Sequence, residues 1–120
     1  MAGTIIADTL THSTAGSIAA NYVVNGSAKA WAFATSAAGL TGESLNISSG
    51  LDNGTGDYTL SLSNSITSNN SVFSGTVGNS TAQTLSVASR TTSSYDAHTF
   101  NASGSATDNT TMTLVNGDLA

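Results

Sequence analysis

The chain has 120 residues, a formal net charge of -5 and only two cationic side chains, and charged residues make up 8% of it. A chain of this length corresponds to one domain. The scarcity of Lys and Arg argues against binding to nucleic acid or to an anionic membrane surface, because both rely on clusters of basic side chains. We also expect no membrane insertion and no signal peptide, since no apolar run is long enough to span a bilayer and none follows a basic start.

The supply of apolar side chains is small. Leu, Ile, Val and Phe together fall just under about 20% of the chain, the level at which disorder becomes an alternative. Disorder usually also requires a high net charge, and here the polar residues are mainly Ser, Thr and Asn. Small chains with thin cores commonly need disulfides, a metal or oligomerisation. Because the chain has no Cys and no convincing metal motif, we expect it to complete its core by assembling with identical copies.

Residues 1–16 form a segment that is too poor in apolar residues to fold alone. Ile5, Ile6 and Leu10 stand there on a small and polar background. We expect an extended attachment arm over residues 1–16, anchored to another chain through these three side chains, and a β-domain over residues 17–120. The alternative is that residues 1–16 supply the first strand of that domain.

Two apolar groups follow in residues 17–33. Residues 22–24 read as a strand that ends at the turn signal Asn25-Gly26, and residues 28–33 read as the next strand. Trp31 and Phe33 alternate with alanines, so we assign their shared face to the core and expect the alanines to suit close packing against a second chain. Ala-rich sequence also permits a helix here.

Residues 44–66 carry the strongest pattern in the chain. Two rows of alternating apolar side chains predict half-buried strands, and their members are Leu45 and Ile47, then Tyr58, Leu60 and Leu62. Between the rows, residues 52–57 supply the Asn, Asp and Gly that tight turns require. The segment therefore predicts a β-hairpin.

Further short strands are expected at residues 72–77, 84–88, 99–102 and 111–115, with residues 90–97 as a loop. Strands of this length with regular turn signals are typical of all-β folds. We predict a small antiparallel β-sandwich or jelly-roll-like barrel with an extended N-terminal arm. The predicted core comprises Val23, Trp31, Phe33, Leu45, Ile47, Tyr58, Leu60, Leu62, Leu85, Val87, Met112 and Leu114.

Metal and cofactor sites are not expected. His12 and His98 each stand alone in their segments, and although Asp96 and His98 share one side of a strand, two side chains do not close a site. The alternative is a trimer in which three copies of His12 or of His98 meet at the threefold axis and bind one ion. Residues 52–57 lack both the calcium-loop order and a downstream Glu.

Catalysis is not expected either. Glu43 is the only Glu, no Ser lies in a G-x-S-x-G motif, and a Ser-His-Asp set chosen from so many serines carries no weight. The loop predicted at residues 90–100 is a candidate receptor-facing site, formed by Arg90, Tyr95, His98 and Phe100, because aromatic loop residues can stack on sugars or anchor a partner. The alternative is that Tyr95 and Phe100 plug one end of the sandwich.

Three stretches carry a family resemblance: THSTAGSIAANYVVNGSAKAW near the start, LNISSGLDNGTGDYTLSLSNSI in the middle and the terminal GDLA. Together, in this order and spacing, they resemble short tail-fibre-like virion proteins of tailed bacteriophages, often marine. The resemblance implies a non-enzymatic structural protein on the virion surface, a homotrimer with an N-terminal part for attachment and a β-rich part displayed outward. It transfers no catalytic residue.

The resemblance therefore predicts a homotrimeric fibre or receptor-binding protein whose partners are itself, other virion proteins and a host surface glycan or receptor. A capsid decoration, cement or head-fibre protein is the alternative, in which residues 1–16 grip the capsid. A carbohydrate-active enzyme is the remote alternative.

Overall fold

The computed structural model describes residues 3, 6–35, 39–78 and 83–118. Within these residues the chain forms ten strands and one short helix. In chain order they are β1 (Thr9–His12), β2 (Gly16–Ala19), α1 (Ala20–Gly26), β3 (Ala28–Ala34), β4 (Leu40–Leu45), β5 (Ile47–Gly54), β6 (Asp57–Leu62), β7 (Val72–Val77), β8 (Gln83–Ala88), β9 (Ser94–Asn101) and β10 (Thr111–Asn116).

Two four-stranded sheets lie face to face. Sheet I has the strand order β4-β3-β10-β7, and sheet II has the order β5-β6-β9-β8. All pairings are antiparallel, which confirms the predicted antiparallel all-β sandwich. The predicted hairpin is confirmed as β5–β6, with its tight turn at Thr55 and Gly56.

The core is built from unequal contributions of the two sheets. Sheet II supplies large side chains, whereas sheet I supplies mainly small ones. Sheet II contributes Ile47, Leu60, Leu62 and Tyr95, and sheet I contributes Ala30, Ala32, Ala34 and Val115. Ile47, Tyr58, Leu60 and Leu62 were predicted in the core and are buried there. Leu85 and Val87 are half-buried.

The prediction for the inner face of sheet I was wrong. Trp31 and Met112 are each 38% exposed and Leu114 is 37% exposed, and Phe33 lies on the same outer face. Alternation defines the two faces of a strand without saying which one is buried, and a shift of one residue exchanges them. Because the large side chains of sheet II already fill the interior, only the alanines of β3 fit opposite them.

The apolar row that began at Leu45 is broken by a corner. Asn46 adopts a left-handed φ of 56°, so the chain leaves sheet I at Leu45 and enters sheet II at Ile47. The Asn46 side chain holds the corner, because its Oδ1 accepts the backbone N–H of Asn64 at 2.7 Å. Leu45 therefore faces outward, 47% exposed, which corrects its predicted place in the core.

Residues 22–24 belong to helix α1 and not to the predicted strand. Val23 lies outside the core, 42% exposed, and α1 buries none of its residues. The Lys29 ammonium donates hydrogen bonds to the carbonyl oxygen of Val24 and, at 2.8 Å, to Ser27 Oγ. A cation at the carbonyl end of a helix opposes the negative end of its dipole, so Lys29 fixes α1 through its end and not through an apolar face.

The second half of the loop predicted at residues 90–97 is strand. β9 runs through Ser94–Asn101 and lies between β6 and β8 in sheet II. The preceding turn is closed by Thr91 Oγ1, which accepts the backbone N–H groups of Ser93 at 3.1 Å and Ser94 at 2.8 Å. Three of the four outward residues of β9, Ser94, Asp96 and His98, are polar, and this hid the strand in the sequence.

The turn at Gly56 requires glycine for two reasons. Its φ is +66°, and a Cβ added there would lie 2.5 Å from the carbonyl oxygen of Thr99 and 2.8 Å from the backbone nitrogen of Thr107. Gly104 has a similar φ of +80° with nothing within 4 Å of an added Cβ. A side chain at Gly104 would therefore meet backbone strain alone, whereas a side chain at Gly56 would meet both strain and crowding.

We expect Gly104→Ala to lower the free energy of unfolding by about 1 kcal/mol, the cost of the left-handed conformation alone. Gly56→Ala should cost about 3 kcal/mol or more, because the backbone around the added methyl must also move. Urea-induced unfolding followed by circular dichroism measures both. Equal losses would contradict the crowding at Gly56.

Candidate functional site

The outer face of sheet I carries a continuous group of apolar side chains, which we call the apolar face. It comprises Trp31, Phe33, Leu45, Val72, Met112 and Leu114. Trp31 lies opposite Leu45 on one side and opposite Leu114 on the other, while Phe33 lies opposite Met112. Side chains paired in this way across strands are in contact range, so the strand register brings them together on one surface.

A shallow depression of about 450 Å³ lies on this side of sheet I. Its lining residues are Ser74, Gly75, Thr76, Met112, Thr113 and Leu114, and none of them is charged. Antiparallel sheets of this kind normally alternate apolar residues toward the core with polar residues toward water. Contiguous exposed apolar surface marks interaction sites. The chemistry of the apolar face therefore suits binding to another apolar surface and offers no acid or base.

The strands β1 and β2 and the helix α1 form a second exposed apolar region, which we call the N-terminal unit. β1 and β2 pair as a hairpin, and this hairpin spans residue 16, where the domain boundary was predicted. The boundary itself stays a prediction. The exposed apolar residues of this unit are Leu10, Ile18, Tyr22, Val23 and Val24. Of the three predicted attachment residues, Ile6 is 93% exposed and Leu10 is 44% exposed, whereas Ile5 lies outside the described residues.

The four predicted receptor-facing residues do not form one surface. Tyr95 is fully buried and is hydrogen-bonded to Thr113 at 2.7 Å, so it cannot meet a receptor. The Arg90 guanidinium lies over the Phe73 ring, 5.9 Å from its centre. Phe100 is half-buried on the outer side of β9. Burial raises the pKa of Tyr95 above its ordinary value of 10.0, although the hydrogen bond with Thr113 opposes this.

His98 lies on the outer face of sheet II, directly opposite Asp57. Its Nε2 is 3.2 Å from Asp57 Oδ1, and ligand atoms of Asp57, Asp96 and His98 all lie within 4.8 Å of one another. The sequence pairs Asp96 with His98 by alternation along one strand. Asp57 could not be added from sequence, because only the register of β6 against β9 brings it there.

Ser86 lies opposite His98 on the other side, so the register forms a row Ser86–His98–Asp57. Nucleophilic catalysis requires a hydrogen bond from the serine to the imidazole. Among the described residues Ser86 makes no side-chain hydrogen bond to His98, and this row lies on an open sheet surface. The arrangement therefore lacks the contact that would activate Ser86.

Comparison of the chain with protein-family models, with curated proteins and with solved structures found no match. Among the described residues, no helix has both the length and the apolar character that crossing a membrane requires. The fold and its surfaces define a small all-β protein with two exposed apolar regions, and these regions carry the functional interpretation.

The Tyr95–Thr113 hydrogen bond joins the two sheets inside the core, and its removal tests the buried position of Tyr95. Tyr95→Phe and Thr113→Val should each lower the free energy of unfolding by about 1 to 3 kcal/mol, because each leaves one buried hydroxyl without its partner. The double variant should lose clearly less than the sum, since no unpaired hydroxyl remains. Denaturant unfolding of all four proteins completes the cycle, and additive losses would contradict this contact.

Proposed function

We propose that the chain is a non-enzymatic bacteriophage virion protein, a homotrimer of the fibre or receptor-binding type displayed on the particle surface. The observation that carries this proposal is the apolar face of sheet I. A β-sandwich that has filled its own interior and still presents Trp31, Met112 and Leu114 to water gains stability when an equivalent surface covers them. The occupant of the apolar face is another copy of the same chain.

The low charge of the chain supports association between identical copies. Only 8% of the residues are charged, so crowding several copies together brings few like charges close to one another. Polar Ser and Thr side chains on the outer face of sheet II, such as Ser61 and Ser86, would remain toward solvent and keep the assembly soluble. Sheet I would thus face its copies and sheet II would face outward.

The N-terminal unit supports attachment to a larger particle. β1, β2 and α1 bury almost none of their apolar residues against the sandwich, and the hydrogen bonds from Lys29 and Asn116 reach only the C-terminal end of α1. Such a unit gains buried surface only from another chain. Ile5, Ile6 and Leu10 remain our proposed contacts with the virion.

The resemblance of the three sequence stretches to tail-fibre-like virion proteins supports the phage assignment and the homotrimer. Host contact, with a surface glycan or another receptor, would then fall to His98 and Phe100 on the outer face of β9 and to Arg90 in the turn before that strand. Tyr95 is not part of this surface, because it is buried.

The assembly is tested by removing apolar side chains from the apolar face. We expect sedimentation equilibrium to find a trimer for the unaltered chain. The double variant Met112→Ser, Leu114→Ser should weaken the association by at least about 100-fold, because two buried side chains of this size contribute about 1.5 to 3 kcal/mol each. Leu51→Ser is the matched control, because Leu51 is 60% exposed but lies on sheet II. A compact monomer for the unaltered chain, or a trimer unaffected by the double variant, would overturn the proposed interface.

The position on the particle is tested by deleting residues 1–26, which removes the N-terminal unit and leaves β3 intact. The sandwich should still fold, because no residue of α1 is part of its core, and it should lose binding to the particle. A fibre would detach without weakening the head, whereas a cement protein, the alternative, would also lower the temperature at which the capsid opens. Cryo-electron microscopy of the virion would locate the protein directly, and turnover of host glycan by the purified protein would instead support the remote enzymatic alternative.

A further inference from the structure

We propose that Asp57, Asp96 and His98 form a binding site for one divalent transition-metal ion per chain on the outer face of sheet II. These side chains lie apart from the apolar face, so the inference does not depend on the proposed assembly. It also differs from an ion shared by three chains at a symmetry axis.

The strand register gathers three ligands of suitable type. Asp57 on β6 lies directly opposite His98 on β9, and Asp96 lies two residues before His98 on the same face. A tetrahedral zinc site with bonds of about 2.0 to 2.1 Å has ligand atoms about 3.3 Å apart. The distance from His98 Nε2 to Asp57 Oδ1 is 3.2 Å, so this pair already has the spacing of one edge. The third ligand atom lies within 4.8 Å of both, within reach of a side-chain rotation.

Neighbouring polar side chains orient the two carboxylates. Thr59 Oγ1 donates a hydrogen bond of 2.7 Å to Asp96 Oδ1. The Asn53 amide donates to Thr59 Oγ1 at 2.8 Å and to Asp57 Oδ1 at 3.3 Å. Hydrogen bonds of this kind commonly fix the ligands of metal sites. The site is thus supported from β5 and β6 as well as from β9.

The local charge favours a cation. Two carboxylates lie close together here, and the only Lys and the only Arg of the chain are engaged elsewhere, Lys29 at the end of α1 and Arg90 over Phe73. A divalent ion neutralises both negative charges. The His98 side chain is 32% exposed and that of Asp57 is 45% exposed, so water can complete the coordination shell.

The donor set selects the class of ion. Imidazole nitrogen suits zinc and its neighbours in the first transition row, whereas magnesium and calcium prefer oxygen ligands alone. One imidazole with two carboxylates combines nitrogen and oxygen ligands, as the zinc sites of two histidines and one glutamate do, and leaves a fourth position for water. We therefore use Zn²⁺ as the probe, with Ca²⁺ for comparison.

Isothermal titration calorimetry of the metal-free full chain with Zn²⁺ tests the site. We expect one ion per chain, weaker binding of Ca²⁺, and a rise in melting temperature on the order of 5 °C in excess Zn²⁺. Asp96→Asn and His98→Ala should each weaken Zn²⁺ binding by at least about 10-fold and abolish most of the thermal shift. Anomalous scattering at the zinc absorption edge should place the ion between β6 and β9.

Matched controls are available for both variants. Asp8→Asn removes the same charge from the N-terminal unit, and His12→Ala removes the other histidine, so neither should change Zn²⁺ affinity. The proposal would be overturned if the unaltered chain does not bind Zn²⁺, or if Zn²⁺ still binds after both Asp96→Asn and His98→Ala. Loss of Zn²⁺ binding only in His12→Ala would also overturn it. A stoichiometry of one ion per three chains would do so as well.

Discussion

The packing of large side chains from one sheet against alanines from the other is the constraint on which the rest of this structure depends. Tyr95 crosses the core to reach Thr113 and contacts Phe73, with ring centres 5.1 Å apart. Leu60 and Tyr95 on sheet II leave room for little more than methyl groups on β3 opposite them. Since protein interiors tolerate neither voids nor overlap, the alanine face of β3 must turn inward and the aromatic face must turn outward.

The apolar face follows directly from that packing. A sandwich with few apolar residues would be expected to bury nearly all of them, yet Trp31, Leu45, Met112 and Leu114 remain accessible. The sandwich excludes them because its interior is already full, not because it has more apolar side chains than it needs. The outer surface of sheet I is therefore where we propose that another copy binds, and the N-terminal unit adds a second exposed apolar surface.

The two outer faces of the sandwich divide the chemistry of the protein. Sheet I presents apolar side chains and a depression without charge, whereas sheet II presents carboxylates, hydroxyls and His98. The cluster of Asp57, Asp96 and His98 arises because β6 and β9 are neighbours whose outward residues are in register. The proposed interface between copies and the proposed metal site therefore lie on separate faces of one small domain.

The sequence alone determined the fold class, the β5–β6 hairpin and the burial of Tyr58, Leu60 and Leu62, because strict alternation and turn residues act over a few neighbouring positions. It also led us to expect that one copy needs others to complete it, which stays a prediction. Only the tertiary structure decided that the alanines of β3 face inward, that Asn46 turns the chain from one sheet to the other, and that Asp57 meets His98. The physical reason is the same in each case. Alternation repeats every two residues and defines two faces of a strand without saying which one is buried. That choice depends on the volumes of side chains from distant segments, and the neighbours across strands depend on the register with those segments.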